Sequence, residues 1–185
     1  MQSVSHIFGG EAKVKIMRLF IFNPGIVFNH AEVANRTKEK PNTVRRELGI
    51  LTKAGLITRR TKGFILDISY PYLSAIENFL IDAAPISSKE IIKKISRAGN
   101  IKLILISGVF LHERDSRVDM LVVGDHLKQT KLLSIVSSIE ALLGKELRYA
   151  AFETIDFQYR LSIYDKLIKD ILDYQHEKIL NKLGI

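Results

Sequence analysis

The chain has 185 residues, 46% hydrophobic and 26% charged, which suits one large or two small globular domains and argues against extensive disorder. It contains no cysteine, which excludes disulfides, thiolate metal sites and cysteine nucleophiles and agrees with a reducing cytoplasm. No apolar run approaches the roughly 18–20 residues that span a bilayer, and "MQSVSHIFGGEAK" lacks the basic and apolar regions of a signal peptide. A soluble cytoplasmic protein is expected. The net charge is +8, of which residues 1–80 carry +6 and residues 81–185 carry +2. The basic surplus points to a polyanionic partner for the N-terminal half.

In chain order, Val14, Met17, Leu19, Phe20 and Phe22 recur near helical spacing and predict a first helix over 11–22, ended by Asn23-Pro24-Gly25. Asn29 is placed to cap a second helix over 30–36. Pro41 suits the first position of a third helix, "PNTVRRELGILTKAG", which Gly55 ends. Val44, Leu48 and Leu51 form its apolar stripe. "LITRR" and "FILDI" flank the turn Thr61-Lys62-Gly63 and predict a hairpin. A connector helix follows Pro71, with Leu73, Ile76, Phe79 and Leu80 on one stripe, and "AAPISS" marks a domain boundary.

Three helices and a basic hairpin are the order of a winged helix-turn-helix, and "TVRRELGILTKAGLITRR" resembles that family. The resemblance covers about residues 9–70 and implies double-stranded DNA as the partner. In such folds the third helix enters the major groove, where Arg pairs with guanine and Asn or Thr reaches bases or backbone. It therefore nominates Lys40 just before the third helix, Asn42, Thr43, Arg45 and Arg46 on it, and Arg59, Arg60 and Lys62 on the wing. The other reading is of solvated charges on a domain that pairs with protein.

The C-terminal half reads as helix, strand, strand, helix, strand, helix, helix. Ser87 and Glu90 form a capping box. "IKLILISG", "VDMLVVG" and "KELRYAAF" are the strands, with a helix over 127–143 between the second and third. One long helix after Asp156 is expected to carry Phe157, Leu161, Tyr164, Ile168 and Ile171 on its stripe. A short helix over 176–183 is expected to close the chain.

"LILISGVF" followed by "DSRVDMLVVGD" resembles the nucleotidyltransferase fold of the polymerase-beta type, over about residues 88–164. That pattern carries Gly-Ser after one strand and Ser-Asp-x-Asp on the next, its aspartates sharing catalytic metals. Here Ser107-Gly108 reverses the first pair, Ser116 matches the serine and Asp119 the second aspartate, while Arg117 stands in place of the first. A guanidinium offers a metal no lone pair, and two divalent ions need several converging carboxylates. The third family carboxylate has no counterpart within "LRYAAF"; Glu146 and Glu153 only flank it. No catalysis, metal or cofactor is expected. Ser107, Arg114, Arg117 and Asp119 remain a candidate groove for a phosphate-bearing ligand, the alternative being a surface network of Arg114 and Arg117 with Glu113, Asp115 and Asp119.

The expected architecture is α+β: a winged helix-turn-helix over 1–70, a connector helix and linker over 71–86, and a small mixed sheet with covering helices, nucleotidyltransferase-like, over 87–185. The expected function is a DNA-binding transcriptional regulator, homodimeric through the connector or the C-terminal helices, its second domain serving oligomerisation or binding of a nucleotide or protein effector. The alternatives are a divergent nucleotidyltransferase holding one metal on Asp119 with Glu113, Asp115 or Glu153, and a protein-interaction adaptor.

Overall fold

The structure, a computed structural model, describes residues 2–83, 85–111 and 116–185, those before residue 5 by their backbone alone. It is an α+β fold whose chain divides into two units, 1–86 with 137–146, and 87–136 with 147–185. Among the described residues no helix is long and apolar enough to cross a membrane.

The first unit runs α1 (Gln2–Ile7), α2 (Glu11–Ile21), α3 (His30–Thr37), α4 (Pro41–Lys53), β1 (Ile57–Arg60), β2 (Gly63–Leu66) and α5 (Leu73–Asp82). Its core gathers Ile16 and Phe20 of α2, Val33 of α3, Val44 and Leu48 of α4, and Phe64 of the hairpin. The helix ends follow local chemistry. Asn29 and Glu32 form a reciprocal capping box at α3, Pro41 opens α4, and Gly55 leaves α4 at φ +81°. β1 and β2 pair antiparallel, and a further bridge joins Phe64 to Phe28, so the hairpin is tied back to the segment before α3. Asn29→Ala removes the acceptor for the Glu32 N–H and is expected to cost about 1 kcal/mol, read from the midpoint of urea unfolding.

Arg18 lies 4% exposed within this unit. Its Nη2 donates to the carbonyls of Leu80 and Ala83, at 2.5 Å each, which anchors the C-terminal end of α5 to α2. Burial pushes its guanidinium down to about 10, so it remains cationic at neutral pH, where it suits the negative end of a helix dipole. Residues 137–146 join the unit through the Gly144 carbonyl, which accepts from the Asn23 side chain at 2.7 Å, and through an Arg36–Glu146 ion pair.

The second unit holds α6 (Ser88–Ile95), β3 (Asn100–Ile106), a 3-10 turn Gly108–Phe110, β4 (Met120–Asp125), α7 (Gln129–Leu143), β5 (Tyr149–Glu153), α8 (Thr154–Ser162), α9 (Lys166–Asp173) and β6 (Glu177–Asn181). From Ser137 onward α7 belongs with the first unit. The sheet order is β5-β4-β3-β6, with β4 and β5 parallel and the other pairs antiparallel. β3 and β4 are buried along nearly their whole length, which explains their unbroken apolar sequence. Leu103, Leu105, Leu121 and Val123 pack against Phe157, Ile168 and Ile171.

Two expectations are corrected here. The closing segment is the strand β6, which pairs Leu180 with Ile104 and Lys178 with Leu105. A helix of eight residues is marginal by itself, whereas the open edge of β3 supplies ready backbone partners. The expected long helix is two, α8 and α9. Tyr164 turns to φ +55°, and Asp165 then caps α9 by accepting the N–H groups of Leu167 and Ile168 at 3.0 and 3.2 Å. Tyr164 therefore leaves the buried stripe and is 84% exposed.

Candidate functional site

Burial of Val44, Leu48 and Leu51 sets the rotation of α4 and turns Asn42, Arg45, Arg46 and Lys53 to the outside. Lys40, at the N-cap, is also exposed, and Thr43 is half-buried. Unlike α3 and α6, α4 has no side-chain cap and no acidic residue in its first turn. No side chain therefore accepts its leading N–H groups or offsets the positive end of its dipole.

Arg45 and Arg46 differ in their surroundings. Among the described residues Arg45 has no side-chain hydrogen bond or ion pair. Arg46 donates from Nε and Nη2 to Glu47 Oε1, at 3.0 and 2.8 Å. Glu47 is 3% exposed, and Lys13 Nζ lies 3.6 Å from its other oxygen. A buried carboxylate thereby fixes the direction of an exposed guanidinium. Sequence reasoning passed over Glu47; the available signal was an acid directly after two arginines, beside the buried Leu48.

On the hairpin Arg59, Arg60 and Lys62 are all exposed. Arg59 pairs across the ladder with Phe64 and Arg60 with Gly63. As neighbours on a strand they project to opposite faces, so the hairpin offers cations on both sides. Asp67, just beyond β2, has its carboxyl held below the usual range mainly by the hydroxyl and N–H of Ser69, with Arg60 contributing.

Of the candidate groove residues, Ser107, Arg117 and Asp119 are engaged within the fold. Asp119, 1% exposed, accepts from the Val109 N–H at 3.0 Å and the Arg148 N–H at 2.8 Å, and the Arg148 side chain adds two longer bonds at 3.3 Å. Gly108 makes room for this carboxylate: at φ +50°, any Cβ there would collide with Asp119 Oδ1. Arg117 pairs with Asp170 at 2.9 Å, not with Asp119. The Ser107 N–H donates to the Asp119 carbonyl, and its hydroxyl donates to the carbonyl of Gln175 just before β6. Arg114, Glu113 and Asp115 lie outside the described residues.

The two described carboxylates that flank β5 are occupied elsewhere. Glu153 accepts the N–H groups of His126 and Leu127 at 3.0 and 2.9 Å, and Glu146 pairs with Arg36. Among the described residues no three His, Asp or Glu side chains converge as a metal site. Comparison with protein-family models, with curated proteins and with solved structures found no match for this chain.

Proposed function

We propose that the protein is a DNA-binding transcriptional regulator, with α2–α4 and the β1–β2 hairpin forming a winged helix-turn-helix and α4 as its reading head. The observation that carries this is the run of outward cations on α4 and the hairpin, with an uncapped α4 N-terminus among them. Phosphates would be met by Lys40, Lys62 and the arginines of β1, and base edges by Asn42, Arg45 and Arg46. The second unit is read as a nucleotidyltransferase-like module without catalysis. Asp119, which matches the second aspartate of that family's pattern, accepts from the backbone N–H groups of Val109 and Arg148, which supports a structural role for it.

Fluorescence anisotropy with duplex DNA from the gene's own upstream region, against a scrambled duplex across a salt series, tests the proposal. An Arg45→Ala/Arg46→Ala variant is expected to bind at least about 30-fold more weakly, taking roughly 1–3 kcal/mol for each arginine. Its preference for the upstream duplex should shrink, and its salt dependence should become shallower if either side chain meets phosphate. Equal, weak binding of both duplexes by wild type and variant would overturn the reading.

A further inference from the structure

We propose that the outer face of α8 is a docking surface for a second copy of this chain, joined as an antiparallel helix pair about a two-fold axis near Tyr159. This inference concerns the second unit and does not depend on DNA binding.

Phe157 is fully buried and fixes which side of α8 faces the sheet. On the opposite side Ile155, Tyr159 and Ile163 follow one another at intervals of four residues, 83%, 63% and 54% exposed. Residues so spaced lie above one another on a single face. Tyr164 extends the patch at the helix end. By contrast, Phe79 of α5, 39% exposed, already meets the tilted ring of Phe8 at 5.5 Å.

The order of side chains selects the occupant. Ile155 and Ile163 stand four residues either side of Tyr159, so the stripe reads the same in both directions. An isologous contact requires that self-complementarity. Reversing one helix against another about Tyr159 brings Ile155 over the partner's Ile163 and ring over ring. It also brings Asp156, on the flank, toward the partner's Arg160, and Arg160 toward the partner's Asp156. These two already pair within one chain at 3.3 Å, and in the dimer each can be shared across the interface. The other flank holds Gln158 and Ser162, which carry no charge. Residues 81–185 have a net charge of only +2, so self-association there meets little repulsion.

Four such side chains cover on the order of 400 Å² per subunit, about half the area per partner of a standard stable interface. The dimer is therefore expected to be weak and reversible.

Because the chain has no cysteine, Tyr159→Cys introduces a single thiol at the proposed axis. Tyr72→Cys, at a position 67% exposed on the other unit, is the control. Sedimentation velocity of the full chain from about 1 to 100 µM should show a concentration-dependent monomer–dimer equilibrium. Ile155→Glu/Tyr159→Glu should keep its melting temperature and stay monomeric. Under mild oxidation the Tyr159→Cys chain should cross-link about tenfold faster than the Tyr72→Cys chain, since association raises the local thiol concentration. A wild type monomeric at the highest concentration, a dimer untouched by the double variant, or equal cross-linking of the two thiols would each overturn the proposal. The last two outcomes would place any association on another surface.

Discussion

Asp119→Ala is expected to lower the stability of the second unit by about 2–4 kcal/mol while leaving DNA binding intact. The weight falls on two main-chain donors, the N–H groups of Val109 and Arg148, which the substitution leaves without their acceptor. The Arg148 side chain contributes less, because it is 56% exposed and water can take over its bonds. Asp119→Asn is expected to be destabilising too, since its amide turns a donor toward donors. Urea unfolding followed by circular dichroism gives the stability, and anisotropy with the upstream duplex gives the binding. The sign separates two roles for this residue. A carboxylate kept for metal chemistry is often a burden on the fold, and its removal is neutral or stabilising. A carboxylate that joins the turn after β3 to the start of β5 is a structural part, and its removal unfolds. An unchanged urea midpoint for Asp119→Ala would refute the structural assignment.

Gly63→Ala is expected to cost about 3 kcal/mol through a forced main-chain displacement. A Cβ at this position would stand on the carbonyl oxygen of Phe28, with the Phe28 carbonyl carbon at 2.6 Å and the Asn29 nitrogen at 2.9 Å. No flexible side chain can yield there, because all three atoms are backbone. The hairpin would have to leave the Phe28 segment, breaking the paired bonds between Phe28 and Phe64, each 2.9 Å. Phe28 and Phe64 are both core residues, so the damage spreads to the packing of α2. On the proposed function the variant also loses the placement of Lys62 and the β1 arginines. Its DNA affinity should fall together with its melting temperature. A Gly63→Ala chain that melts like wild type would show that the hairpin is not held against this segment.

Much of the first unit was legible because its signals are local. A capping residue acts over three positions, a proline or glycine over one or two, and an apolar stripe over a few turns. Asn29, Pro41, Gly55 and the Val44/Leu48/Leu51 stripe all act at that range, and the helices and hairpin they predict are present. Gly63 was legible only in part: its place in a turn was read from its neighbours, its contact with Phe28 was not. The outward direction of Arg45 and Arg46 followed from the stripe. The buried Glu47 that steers Arg46 did not, because burial of a carboxylate depends on Lys13 of another helix.

The second unit shows where local chemistry stops. "EKIL" carries no period that separates a short helix from a strand, and the unpaired edge of β3 settled it as β6. Apolar spacing ran unbroken from Phe157 to Ile171, and the break lay in the backbone of Tyr164 and the cap at Asp165. The partners of the charged groups are further out of reach. Asp119 finds Arg148 29 residues away, and Arg18 finds carbonyls 62 and 65 residues away. Composition and short-range pattern were enough for the helix stripes, the caps, the hairpin and the basic surplus, since each depends on residues a few positions apart. Which carboxylate is consumed, which cation stays free and which apolar stripe remains uncovered depend on segments brought together by folding, and those only the assembled chain could assign.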